Sequence, residues 1–170
     1  MPTQSRQNGD FAYSGRSELL DEVNVDLLTQ IHADPRISMS ALARRVGMSA
    51  PAVTERVQRL ERAGIITGYQ LQVDPTALGM PVTAFARIRP ATGQLPNIAE
   101  LAQTLPQVTE CHRITGEDCF LVKVPAPTVE QLEETLDRCL LYGQTVTSIV
   151  VSTPIPPRPL PLNAVGSTET

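Results

Sequence analysis

The apolar residues of this chain change their spacing partway along, and that change limits the folds open to it. Up to about residue 64 they recur at three- and four-residue intervals, as Leu27, Leu28 and Ile31, then Leu42, Ala43 and Val46, then Val53, Val57 and Leu60. Such spacing lines one face of a helix. Beyond residue 80, Val82, Ala84, Ala86 and Ile88 alternate with Thr83, Phe85, Arg87 and Arg89, the period of a strand with one buried side. A helical unit followed by a mixed one predicts an α+β chain of two small domains. The 170 residues are 41% hydrophobic, enough for two modest cores. Aromatic residues make up only 4%, with no Trp, so those cores must be aliphatic.

Turn and cap residues divide the first half into three helices. Asp21 is placed as the first N-cap, with Leu20 and Val25 as a hydrophobic staple, and Asp34-Pro35 closes that helix. Ser38 caps a second, short helix that Gly47 stops. Ser49 caps a third, with Pro51 tolerated in its first turn and Gly64 as the C-terminal stop. The segment 65–73 alternates around Gly68 and predicts a small strand pair able to form a wing. Asp74-Pro75 through Gly79-Met80-Pro81 reads as a hinge-like boundary.

Three short helices with a glycine between the second and third suggest a helix-turn-helix. Ala43 is small where two helices cross, Gly47 permits a left-handed turn, and Val53 packs the third helix back on the others. The charge is segregated to match. Every charged residue from 18 to 34 is acidic, whereas 36 to 62 hold six arginines against Glu55 and Glu61. A basic segment thus sits inside a chain of net charge -4, a pattern that fits duplex DNA better than the average suggests.

In the second half, Ile98, Leu101, Ala102 and Leu105 mark a helix. Strands are expected at 108–115 and 120–124, joined at Gly116-Glu117-Asp118. Thr128 and Gln131 form a capping box for a helix with Val129, Leu132, Leu136 and Leu140 inside, and residues 145–153 supply a last strand. The order β-α-β-β-α-β is the ferredoxin-like arrangement. Its sheet would have helices on one side only, leaving a face with Phe85, Cys111 and Phe120 or their alternates for a second copy to cover. Pro154, Pro156, Pro157, Pro159 and Pro161 make an extended tail. The divisions are an arm at 1–17, a winged helix-turn-helix domain with its strand-pair linker at 18–74, a ferredoxin-like βαββαβ domain at 80–153 and a Pro-rich tail at 154–170.

Other classes find less support. No apolar run reaches the roughly 20 residues of a membrane helix and the first ten residues are polar, so a cytoplasmic location without membrane contact is expected. Cys111, Cys119 and Cys139 are spaced neither as a disulfide framework nor as a zinc site, and no cofactor or metal is expected. Cys111-His112 invites an enzyme reading, but strand neighbours point to opposite faces and cannot form a dyad.

The sequence resembles the Lrp/AsnC family of prokaryotic transcription regulators. The likeness is carried by Arg36, Ser38, Leu42-Ala43, Val46-Gly47, Ser49, Val53, Arg56-Val57, Arg59-Leu60-Glu61 and Gly64 through Tyr69, and by Val108 through Asp118 in the second half. It spans about four-fifths of the chain. Three positions depart from the family pattern. Asn24 stands where a second helix-1 Asp is usual, Ala41 replaces a Glu, and Cys119 occupies a position often held by Asp. Losing the Ala41 capping box should cost about 1 kcal/mol or less.

The resemblance implies a DNA-binding regulator that answers to an amino acid and assembles from homodimers into tetramers or octamers. The alternatives are an architectural DNA-binding role with little effector response and, behind it, a small-molecule sensor or an enzyme. The third helix would enter the major groove N-terminus first, with Ser49, Ala50 and Pro51 nearest the base edges. Thr54, Glu55, Gln58 and Arg59 lie on its free face, Glu55 and Arg59 being also spaced to pair with each other. Arg36 and Ser38 suit the backbone, and Arg56 beside the buried stripe is either a contact or an internal pairing residue. In the family, the loop matching Thr115, Gly116, Glu117, Asp118 and Cys119 lines small-molecule pockets between dimers. Its N–H groups would meet an α-carboxylate and its acids an α-ammonium. Val150 and Ser152 match a further effector-responsive stretch.

Overall fold

The computed structural model describes residues 19–162, so the expected arm at 1–17 and the end of the tail lie outside it. Of the described residues, 19–71 together with 157–162 form one compact unit and Gln72–Pro156 the other.

The first unit holds α1 (Glu22–Ala33), α2 (Met39–Arg45) and α3 (Ala50–Arg62). Each starts at the cap residue expected: Asp21 accepts from the Asn24 N–H at 2.7 Å, Ser38 from Ala41 at 3.2 Å and Ser49 from Ala52 at 3.4 Å. Gly47 adopts φ +68°, and the next N–H, of Met48, reaches back to the Ala43 carbonyl at 2.9 Å. That left-handed turn is what sets α3 across α2. Leu27, Leu42 and Val53 are fully buried, with Ile31, Ala43 and Val57 around them.

The strand pair expected at 65–73 does not form. Residues 67–74 are neither helix nor strand, and Tyr69, Leu71 and Val73 are exposed. The alternation is present in the sequence, but an isolated two-stranded ribbon is marginal without a surface to bury its apolar side. The boundary beyond it is a single 3-10 turn, Thr76–Leu78, held by the Asp74 carboxylate accepting from the Thr76 N–H at 2.9 Å.

The second unit holds β1 (Val82–Pro90), α4 (Leu95–Thr104), β2 (Glu110–Arg113), β3 (Phe120–Ala126), α5 (Val129–Leu140) and β4 (Gly143–Ile149). The sheet order is β2-β3-β1-β4, antiparallel throughout, as the ferredoxin-like reading requires. Ala84, Ala86 and Ile88 pair with Val124, Val122 and Phe120, and all six are buried with Ile98 of α4 and Leu132 and Leu136 of α5.

Four details differ from expectation. β2 is only four residues long, and β4 begins and ends earlier than 145–153. On α5, Val129 and Leu140 are exposed, while Thr135 and Cys139 point inward. The Thr135 hydroxyl satisfies itself by donating to the Gln131 carbonyl at 2.9 Å, which is how a polar residue joins the stripe. Phe120 and Cys111 are not on the uncovered sheet face. Cys111 pairs with the buried Val122, so both lie on the helix side. The uncovered face instead carries Phe85, Leu121, Val146 and Arg87. Among the described residues, no helix is long and apolar enough to cross a membrane, and 156–161 in the Pro-rich tail are exposed, without helix or strand.

Candidate functional site

Two groups of residues carry recognisable chemistry, one in each unit. The first is the face of α3 opposite Val53, Val57 and Leu60. Pro51, Glu55, Gln58 and Arg59 are exposed there, with Ala50 and Thr54 half-buried. Thr54 is partly committed, because its hydroxyl donates to the Ala50 carbonyl at 2.8 Å, leaving its oxygen as an acceptor only. Glu55 and Arg59 do not pair, although their spacing allows it. Among the described residues no ion pair holds Arg36, Arg44, Arg59 or Arg62. Arg44 and Arg62 escaped the sequence reading, yet their segregated charge was its available signal.

Arg56 is spent inside the fold. Its guanidinium contacts the Asp21 carboxylate at 2.9 Å and the Asn24 side-chain oxygen at 3.1 Å. Asn24, buried in α1, also donates its amide to the Leu19 carbonyl at 2.7 Å. An aspartate could not make that donation, so the departure from the family residue is structurally used. The hydrogen bond from Arg56, assisted by the Asn24 backbone N–H, holds the Asp21 carboxyl below the usual range. Asp21 thus both caps α1 and ties it to α3. Arg36 and Ser38 sit at the entrance to α2. The Arg36 N–H donates to the Asp34 carboxylate at 3.2 Å, so its guanidinium alone is free, and Ser38 is used as the cap.

The second group is the turn between β2 and β3. The Ile114 N–H closes it on the Cys119 carbonyl at 2.9 Å, and Gly116 adopts φ +107°. Among the described residues, none of the N–H groups of residues 115–118 donates to a protein acceptor. Both carboxylates of the turn are engaged. Arg89 reaches Glu117 at 2.6 Å and Asp118 at 3.4 Å, and Arg87 approaches Asp118 at 3.7 Å. Neither arginine was foreseen, although their alternation along β1 puts both on the uncovered face at the turn's end of the strand. Cys119 is half-buried with its thiol 3.8 Å from the Glu117 carbonyl.

Val150 and Ser152 are not brought to this turn. The Val150 N–H bonds the Thr83 carbonyl at 2.8 Å, at the other end of β1 from Arg89. Six residues of strand separate those positions by about 20 Å. Cys111 and His112 also lie apart, on opposite faces. His112 stands 3.5 Å from Glu110, whose carboxyl is lowered chiefly by a hydrogen bond from Lys123 at 2.8 Å, while burial raises the Cys111 thiol. The Cys111-His112 pair therefore holds no activated nucleophile.

Residues 20–67 match a family described as winged helix-turn-helix DNA-binding, and 83–160 match the Lrp/AsnC ligand binding domain. The HTH-type transcriptional regulator LrpC of Bacillus subtilis is 35% identical over 133 residues, covering 78% of this chain and 92% of its own. Its solved structure aligns with a TM-score of 0.74 at 34% identity, over 78% of this chain and 95% of that one. The leucine-responsive regulatory protein of Escherichia coli is 33% identical over 126 residues, covering 72% of this chain and 76% of its own. The structure of E. coli AsnC gives a TM-score of 0.73 at 28% identity, over 81% of this chain and 95% of that one. These relatives regulate transcription, and the enzyme reading of Cys111-His112 falls with them. By both halves of its sequence and by its fold, the chain belongs to the Lrp/AsnC family of transcriptional regulators.

Proposed function

We propose that this chain binds duplex DNA selectively through α2 and α3 and regulates transcription in response to an amino acid. The observation that carries the DNA half is the free face of α3. It presents Glu55, Gln58 and an Arg59 that, among the described residues, is held in no ion pair, beyond a serine-capped N-terminus. Ser49, Ala50 and Pro51 sit where a recognition helix enters the groove, and Thr54, its proton committed to Ala50, accepts from a base amino group. Arg36 and Ser38 flank the backbone, with Arg44 and Arg62 as added phosphate contacts.

A gel-shift titration on the gene's own upstream region, at two salt concentrations, tests this. Arg59→Ala is expected to weaken binding about tenfold or more, the cost of one guanidinium contact to base or phosphate. Equal binding to scrambled duplex would reduce the protein to an architectural role, and unchanged affinity in Arg59→Ala would remove that residue from the interface.

The effector half rests on the turn at 115–119, with free backbone donors for a carboxylate and two acids for an ammonium group. Val150 and Ser152 lie at the far end of β1, so a pocket using both stretches needs a second copy. Self-association through the uncovered sheet face supplies one. Phe85 stands at its centre, 37% exposed, between Lys123 and Ser148. Covering its remaining exposed surface against a second sheet is favourable by about 1 kcal/mol or less per copy. A glutamate there would instead bury an unpaired carboxylate from each copy at the seam, so Phe85→Glu is expected to yield a monomer in sedimentation at micromolar concentration. An unchanged oligomer would place the contact elsewhere. Assembly to tetramers or octamers, and a cytoplasmic location, complete the reading.

A further inference from the structure

The turn's two carboxylates are already neutralised by the protein itself, and this bears on what they accept. Arg89 contacts both Glu117 and Asp118, and Arg87 faces Asp118 from the same side of β1. With two arginines facing two carboxylates the cluster carries no net charge, so a monovalent amine entering here gains no net attraction and competes with Arg89 for the acids. A zwitterion carries its own replacement: its ammonium takes the acids while its carboxylate takes Arg89. Ion pairs are exchanged and none is lost. We propose that Arg89 is the specificity-determining residue of this site, confining it to ligands that present an ammonium and a carboxylate together.

The inference rests on the effector reading above and adds to it a selection rule that the acidic turn alone does not have. Without Arg89, Glu117 and the Asp118 Oδ1 would lose their arginine partner and attract any cation. With it, the free N–H groups of residues 115–118 and the guanidinium together demand the α-carboxylate. The side chain of the ligand is read by neither.

The test uses the full chain and compares the twenty L-amino acids with their primary carboxamides, monocations of nearly the same shape, by thermal shift and then calorimetry. In the wild-type protein, at least one amino acid is expected to bind about tenfold or more tighter than its carboxamide, the worth of a charge-assisted hydrogen bond. In Arg89→Gln the amino acid should weaken and the carboxamide strengthen, so that the ratio approaches one. Arg89→Lys should keep the preference at reduced affinity, which separates loss of charge from loss of folding. A purely structural role would lower both ligands alike. If Arg89→Gln folds and keeps the wild-type ratio, the assignment of Arg89 is overturned while the effector site stands. If no amino acid shifts the wild-type protein, the effector reading itself fails and takes this inference with it.

Discussion

Leu42→Ala is expected to unfold the three-helix unit while leaving the sheet unit intact. Leu42 is fully buried where α2 meets the other helices, in a cluster of Leu27, Ile31, Ala43, Val53 and Val57. Truncating such a leucine costs about 2–5 kcal/mol, through lost transfer energy and the cavity left behind. A unit of some 50 residues has a total stability of about 2.5–7.5 kcal/mol at typical values per residue. The loss is therefore of the same size as the stability itself. The buried residues of the sheet unit form a separate cluster around Ile88, Phe120 and Val122, which the substitution does not touch. Differential scanning calorimetry should resolve a low-temperature transition that disappears or moves far down, beside one that stays in place. DNA binding should vanish while an amino-acid thermal shift persists. A single transition that moves as a whole would show that the units fold together.

What could be read in advance follows a physical division. Local chemistry was legible: Asp21, Ser38 and Ser49 cap their helices because a side-chain oxygen beside free N–H groups needs no tertiary partner. Ala43, Gly47 and Val53 fixed the turn between α2 and α3 for similar reasons, and β1 showed its buried side plainly. Features that depend on a distant partner were not legible. Residues 65–73 have the period of strands, but a period cannot supply a neighbour. The α5 stripe was read by hydrophobicity alone, which favoured Val129 and Leu140 over the self-satisfied Thr135 and the small Cys139. Asn24 gave no sign of being buried, since its partners Leu19 and Arg56 meet only in the fold. At the turn, Glu117 and Asp118 were visible as acids, but the arginines that neutralise them lie some thirty residues earlier in the chain. The residues of both candidate groups were therefore visible in the sequence, whereas the charge balance at the turn required the structure.

The same dependence on a distant partner gives the other large effect. Gly143 opens β4 opposite Pro90 at the end of β1. A Cβ there would overlap the carbonyl group of Arg89 and lie 2.9 Å from the Pro90 Cα. These are backbone atoms in a paired strand, so no rotamer change can make room, and β4 must draw back from β1. The neighbouring Ala91 N–H to Tyr142 carbonyl bond, 2.8 Å long, would be strained with it. Overpacking of this kind costs about 1–3 kcal/mol, against which the loss of glycine's freedom in the unfolded chain returns about 0.4–1 kcal/mol. The clash prevails by up to about 2.6 kcal/mol, and Gly143→Ala should lower the melting temperature of the sheet unit by up to about 10–20 °C, at roughly 4–8 °C per kcal/mol for a domain of this size. Gln144→Ala, at the exposed next position, should stay within about 0.5 kcal/mol of wild type. Because the displaced backbone is that of Arg89, the variant should also lose part of its preference for an amino acid over its carboxamide even at temperatures where it is fully folded. A Gly143→Ala protein that melts with the wild type would mean that β4 pairs with β1 more loosely at this end than the register implies.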